Sequence, residues 1–151
     1  MALPDRARGD IERVPVVVLV PDSISSDATI LVLGRQGYET AVRGKNGFVC
    51  MVERSWMEAF DSPEFWNPKV KGAECLNRQA ARSILPIADL RTRMVMAGHS
   101  KAEIVSAVKA AFDNKQLPDL ENGNMVFMMS KASSAVHILT CSRVALREQS
   151  A

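Results

Sequence analysis

The sequence predicts an α+β fold, in which one small domain packs an antiparallel, hairpin-containing sheet against helices. Two observations lead to this prediction. β-branched, strand-like runs are concentrated in the first third of the chain, and good helix formers with capping signals follow them. The 151 residues, 47% of them apolar and 24% charged, match the size and composition of a single globular domain.

The first strands are expected from residue 28 onward. Residues 28–33 form a β-branched and aliphatic run that ends at Gly34, and a turn through residues 34–37 follows. The next two strand-like runs, 38–43 and 48–53, flank the sequence Gly-Lys-Asn-Gly. Because Asn-Gly supplies the positive φ angles of a tight turn, we predict a β-hairpin between these two runs.

Helices are expected in the middle of the chain. Asp61-Ser62-Pro63-Glu64 has the composition of a helix start, and residues 73–97 are mostly good helix formers. Pro86 must divide that second stretch into two helices, and Gly98 closes the later one.

A capping box, Ser100-Lys101-Ala102-Glu103, then predicts an amphipathic helix over Lys101–Asp113. Residues 125–129 and 136–141 are predicted to be later strands.

Composition narrows the classes of function. The net charge of +2 is too small to favour a nucleic-acid partner. The three cysteines are widely separated, so we interpret them as small buried apolar residues and not as a zinc site. The longest apolar run, 14–20, is shorter than the roughly twenty residues of a membrane span, and acidic residues before it argue against a secretory signal. We therefore expect a soluble cytoplasmic protein without membrane contact.

The run 94–102, Met-Val-Met-Ala-Gly-His-Ser-Lys-Ala, is similar to the nucleophile elbow of α/β-hydrolases. Ser100 would be the nucleophile, and Asp119 and His137 follow in the chain order of the acid and base in those enzymes. The second glycine of the elbow is alanine here, however, and no glycine-rich oxyanion loop follows the first strands. We favour the alternative interpretation, in which Ser100 caps a helix together with Glu103.

Acidic side chains form a second candidate site. Glu53, Glu58, Asp61 and Glu64 offer the oxygen ligands that Ca²⁺ and Mg²⁺ prefer. A bound cation could polarise a carbonyl group and activate water for ester or lactone hydrolysis. Their spacing matches no EF-hand loop, so we favour a solvated face with ion pairs and a helix cap over a metal site.

Several segments of the chain resemble an uncharacterised family of bacterial hypothetical proteins. They are residues 27–33 (DATILVL), 37–38 (GY), 46–50 (NGFVC), 52–56 (VERSW), 63–69 (PEFWNPK) and 128–131 (MMSK). The resemblance covers about residues 21–131 and implies no activity, cofactor or catalytic residue. It divides the chain into a poorly matched segment 1–20, a globular domain 21–131 and a divergent tail 132–151.

The family implies a continuation beyond Lys131 through a His-Pro-His segment that is absent here. We therefore hypothesise that the last residues are a frameshifted replacement tail, which includes His137. Translation of the coding DNA in all three frames tests this hypothesis, because one frame should restore the missing segment.

Two functions remain open at this stage. One is a small hydrolase of ester or lactone bonds, such as acyl lactones, that acts through Ser100 and His137 or through a divalent cation. The other is a non-catalytic domain for small-molecule binding or for interaction. In either case we expect a small-molecule substrate or ligand, and the apolar runs near both ends predict self-association.

Overall fold

The structure is a computed structural model and describes residues 21–129 and 136–139. The described strands are β1 (Thr29–Leu33), β2 (Tyr38–Val42), β3 (Val49–Arg54), β4 (Lys71–Leu76), β5 (Val126–Met129) and β6 (Val136–Leu139). The described helices are α1 (Asp22–Ser25), α2 (Arg78–Ser83), α3 (Leu85–Met96) and α4 (Lys101–Asp113), with a short 3₁₀ helix at Ser55–Met57. The predicted α+β class is confirmed.

The strands form one mixed sheet in the order β2-β1-β3-β4-β5-β6. Within it β1 and β3 are parallel, and the other neighbouring strands are antiparallel. Leu31, Met51 and Ala88 of α3 form one cluster, so α3 covers one face of the sheet. The opposite face packs Ile24 of α1 against Cys50 and its neighbours.

The hairpin predicted between residues 38–43 and 48–53 is wrong. Strand β1 lies between β2 and β3, and the hairpin is instead formed by β1 and β2, where Leu33 is opposite Tyr38. The expected turn at residues 34–37 is therefore the true hairpin turn. Sequence pattern favoured the Asn-Gly turn, but it does not show which strands pair, and glycine stands next to strand-like runs at both turns.

The Asn46-Gly47 dipeptide has another role. A type I′ hairpin turn needs positive φ at both central residues, but only Gly47 has it, at +86°. Asn46 instead uses its side chain, whose Nδ2 donates to the Ile24 carbonyl at 2.7 Å and whose Oδ1 accepts from the Phe48 amide at 2.9 Å. The Gly44 amide in the same loop also donates a hydrogen bond to Thr29 Oγ1 at 3.1 Å. These bonds hold the loop against the start of β1, so that β3 begins parallel to β1.

The capping signals predict most helix boundaries correctly. Pro86 lies in the first turn of α3 and separates it from α2, as expected. Helix α4 has the predicted bounds and the predicted capping box, and Gly98 before it has a φ of +85°. The expectation that helix begins near Ala73 is wrong, because residues 71–76 are strand β4 and α2 begins only after the Asn77 cap.

The helix expected at residues 61–64 is also wrong. Ser62 Oγ accepts from the Glu64 amide at 3.1 Å, as a cap would, but the segment forms only turns. Trp66 has a positive φ of 76°, and Pro68 disfavours helical geometry at the residue before it and has no N–H to donate. The chain therefore reverses before a second helical turn can form.

Aromatic residues hold this loop in place. The rings of Phe60 and Phe65 are 5.4 Å apart, and those of Phe65 and Trp66 are 5.3 Å apart. Trp56, Phe60 and Trp66 pack against the cluster formed by α3 and α4. They attach the loop to the core.

Cys50 and Cys75 are fully buried, as expected, but they are joined by a disulfide bond. The interpretation of these two cysteines as simple apolar residues is therefore wrong, because their strands are neighbours in the sheet. Cys141 lies outside the described residues. Within the described part of the chain, no helix has the length and apolar character needed to cross a membrane.

Candidate acid–base site

Ser100 is bound within the capping box of α4. Its Oγ accepts from the Glu103 amide at 3.4 Å and donates to Glu103 Oε2 at 2.8 Å. His99 lies beside the same carboxylate, with its Nδ1 3.6 Å from Glu103 Oε1. A catalytic triad places the imidazole between the serine and the acid, whereas here the carboxylate lies between serine and imidazole. The capping interpretation of Ser100 is confirmed.

The other two residues of the predicted triad lie in different elements. Asp119 is exposed in the loop between α4 and β5. His137 belongs to β6, where its Cα is opposite that of Met128 in β5, and its side chain lies outside the described part of the structure. A triad of Ser100, Asp119 and His137 therefore remains a prediction.

The four acidic residues of the predicted cation site differ in their surroundings. Glu53 and Glu58 interact electrostatically, whereas Asp61 and Glu64 are exposed. Glu64 Oε2 accepts a hydrogen bond from Asn67 Nδ2 at 2.6 Å. Among the described residues, no three or more His, Cys, Asp and Glu side chains are grouped so that they could hold a metal ion. The divalent cation remains a prediction.

Glu53 lies close to a second carboxylate, that of Glu74 in β4. The register of the antiparallel pair places Met51 opposite Glu74 and Glu53 opposite Gly72. Because side chains alternate along a strand, Met51, Glu53 and Glu74 project from the same face, and the two carboxylates occupy diagonal positions. Diagonal residues have Cα atoms about 7–8 Å apart, within reach of two glutamate side chains.

This face is the one that α3 covers, because Met51 packs against Ala88. Glu74 is only 5% exposed, whereas Glu53 is half-buried. Both carboxyl groups are therefore in or at the edge of the sheet–helix layer, and Glu53 is the more exposed of the two.

Arg91 of α3 interacts electrostatically with Glu53 and is only 2% exposed. Its Nη1 donates to the carbonyl oxygens of Trp56, Met57 and Glu58 at 3.3, 3.1 and 3.0 Å. Its guanidinium carbon is 4.0 Å from the centre of the Phe60 ring. These contacts fix the 3₁₀ segment that follows β3, and they leave the buried Nε without a hydrogen-bond partner in the described part of the chain.

Burial shifts the pKa of all three groups. It raises the pKa of Glu53 to about 7, with the charge of Glu58 adding to the rise and that of Arg91 opposing it. Burial, and then the charge of Glu53, raise the pKa of Glu74 well above its usual value. Burial lowers the pKa of Arg91 to about 10, which still leaves it a cation at neutral pH.

The arrangement can transfer protons near neutral pH. A carboxyl group with a pKa near 7 is present in both forms at that pH, which suits a general acid or base. The pKa of Glu74 beside it is also raised, by burial and by the charge of Glu53, as happens when two carboxyl groups share a buried site. Such differences between neighbouring carboxyl groups are typical of catalytic sites, although structural ion networks also produce them.

Sequence reasoning identified Glu53 but missed Glu74 and Arg91. Glu74 stands between Ala73 and Cys75, and reading these residues as helix formers concealed a charge on the inner face of a strand. The signal for Arg91 was its position between Ile87 and Val95, four residues from each, on the buried side of α3. A basic residue within an apolar helical stripe indicates a buried cation that needs acceptors.

No family model matches the chain, and neither the curated proteins nor the solved structures include a significant match to it. The resemblance to a bacterial family therefore stays a prediction.

Proposed function

We propose that this chain is a small hydrolase of carboxylic ester or lactone bonds, in which Glu53 is the general base. The observation that carries the proposal is the position of Glu53, half-buried on the helix-covered face of the sheet and diagonal to the buried Glu74. Its pKa of about 7 suits the role, because both forms of the carboxyl group are then available at neutral pH.

The reaction needs one water molecule and one carboxylate. The Glu53 carboxylate removes a proton from water while the water oxygen bonds to the carbonyl carbon of the substrate. The tetrahedral oxyanion then collapses, the bond to the leaving oxygen breaks, and that oxygen takes the proton from Glu53. An ester gives an acid and an alcohol, a lactone gives one hydroxy acid, and Glu53 returns to its starting form.

The earlier alternatives, a Ser100–Asp119–His137 triad and a Ca²⁺ or Mg²⁺ ion, make different predictions in the same assay. Purified protein is assayed on acyl esters and acyl lactones, with and without EDTA, and with the variants Glu53→Gln, Ser100→Ala and His137→Ala. Glu39→Gln is the matched control, because Glu39 is an exposed glutamate on β2. We expect at least a hundredfold loss in Glu53→Gln alone, as removal of a general base typically gives.

Other outcomes select other mechanisms. Loss of activity in Ser100→Ala and His137→Ala, with Glu53→Gln active, would support the triad. Loss with EDTA and recovery with Ca²⁺ or Mg²⁺ would support the cation.

A non-catalytic domain for small-molecule binding or for interaction is the second candidate. Ser100 acts as a helix cap, which explains the elbow-like segment without a catalytic role. This observation favours the second candidate. Absence of turnover on every ester and lactone would support this candidate.

The location of the protein is also a proposal. The sequence predicts the cytoplasm, but the Cys50–Cys75 disulfide favours an oxidising compartment, because disulfides are rare where thiol reductants are abundant. Counting free thiols in protein extracted under alkylating conditions distinguishes the two locations.

A further inference from the structure

The Cys50–Cys75 disulfide lies directly behind the carboxylate pair. The two cysteines are opposite each other in β3 and β4, with Cα atoms 4.0 Å apart. Both are fully buried, and they pack with Ile24, Ala28 and Ala73 on the face opposite to α3. The same two strands therefore carry the disulfide on one face and the glutamates on the other.

The disulfide and the carboxylate pair depend on the same strand register. Cys75 follows Glu74 in sequence, and Cys50 precedes Met51, which is the register partner of Glu74. A covalent bond between Cys50 and Cys75 thus also fixes the position of Glu74 relative to β3. A slip of one residue would move every side chain of a strand to the other face, so this register decides whether Glu74 is buried beside Glu53.

We propose that the Cys50–Cys75 disulfide is a redox-sensitive positioning element, which holds Glu74 in its buried place beside Glu53 and releases it on reduction. The reductant is a dithiol. It loses two electrons and two protons and becomes a disulfide, while the bond between Cys50 and Cys75 breaks and each sulfur gains one proton.

The other groups around the pair are held independently of the disulfide. Arg91 is fixed on the carbonyls of the 3₁₀ segment, and Glu58 ends that segment. Tyr38 of β2 donates its hydroxyl to the Val52 carbonyl at 2.7 Å. Glu74 also lies in the β3–β4 and β4–β5 ladders, so we expect reduction to loosen the register around Glu74 without opening the sheet, while Arg91 keeps its carbonyl contacts. A hydrated Glu74 ionises more readily, so its pKa falls toward its usual range.

The inference rests on the proposed function only where reduction would change the rate of hydrolysis. The test of the inference therefore uses no substrate. The protein is prepared as Cys141→Ser, which leaves Cys50 and Cys75 as the only cysteines of the chain. Free thiols are counted in denaturant before and after treatment with dithiothreitol, and we expect none before and two after. The carboxyl carbon of Glu74, assigned with Glu74→Gln, is then titrated by ¹³C NMR in both states.

We expect the apparent pKa of Glu74 to fall by at least one unit on reduction, with the far-UV circular dichroism retained. The double substitution Cys50→Ala and Cys75→Ala should give the reduced behaviour with or without dithiothreitol. Two free thiols before reduction, an unchanged Glu74 titration, or complete unfolding of the reduced chain would each overturn the proposal. None of these outcomes depends on whether the protein hydrolyses esters.

Discussion

Glu53 and Glu74 occupy diagonal positions on one face of two antiparallel strands, and Glu53 is the more exposed of the two. This relationship places a carboxyl group whose pKa is raised well above its usual value beside one that titrates near neutral pH. It also relates the chemistry to stability, because a group that is uncharged when buried favours the folded state only while it stays protonated.

Stability should therefore fall as the pH rises. Between the usual glutamate pKa of 4.5 and the raised value of about 7, folded Glu53 keeps a proton that the unfolded chain has lost. At low pH this proton adds to the free energy of unfolding. The contribution, up to about 3 kcal/mol, is lost as the pH rises through 7. Urea unfolding at pH 5 and pH 8 should show a smaller decrease in Glu53→Gln than in the wild type. Glu39→Gln should behave like the wild type, and equal decreases in all three proteins would contradict the pKa assignment.

Arg91→Met should destabilise the fold by about 2–4 kcal/mol, because the three carbonyl acceptors lose their donor inside the protein. Arg93→Met is the matched control in the same helix. Arg93 pairs with Asp89 at 2.9 Å, but its side chain is 66% exposed, and such pairs contribute about 0.5 kcal/mol or less. Chemical denaturation measures both changes. Equal costs for the two variants would show that the carbonyl contacts of Arg91 are unimportant.

Ser100→Ala should cost about 1 kcal/mol of stability through loss of the capping box. Hydrolysis, measured per folded molecule, should be unchanged. The control is Ser106→Ala, an exposed interior position of α4, where alanine has the higher helix propensity and should stabilise slightly. A large loss of activity in Ser100→Ala at full folding would contradict the purely capping role.

Gly44→Ala tests the loop that directs β3 parallel to β1. An added Cβ at Gly44 would overlap the backbone of Asp27 and Ala28, and backbone cannot move aside as a flexible side chain can. We expect a loss of about 3 kcal/mol, at the upper end for overpacking. Gly98→Ala is the control, since its φ of +85° is unfavourable for alanine but nothing lies within 4 Å of the added atom. Its cost should be about 1 kcal/mol. A smaller loss at Gly44 than at Gly98 would contradict this path of the loop.

Local signals in the sequence predicted α3 and α4 well. Pro86, Gly98 and the Ser100–Glu103 box each act within one or two helical turns, so their meaning did not depend on distant residues. The same reasoning failed at Asn46-Gly47, because the partner of a strand is decided by contacts far along the chain. The bonds from Asn46 to Ile24 and from Gly44 to Thr29 are such contacts.

The site could be predicted only in part for the same reason. Glu53 was one of four acidic residues named as possible cation ligands, but its partner Glu74 is 21 positions away and meets it only through the pairing of β3 with β4. The bond between Cys50 and Cys75 depends on that pairing as well. Once the register is known, alternation of side chains accounts for both relationships.

The dependence of kcat/KM on pH, measured on an acyl lactone and corrected for spontaneous hydrolysis, tests the role of Glu53 most directly. For the wild type we predict a rise with pH that levels off above an inflection near 7, the pKa of the Glu53 carboxyl group. Glu53→Gln should lack the inflection and be at least a hundredfold slower. A Glu53→Gln variant with the wild-type rate and the same inflection would contradict the assignment of Glu53 as the base.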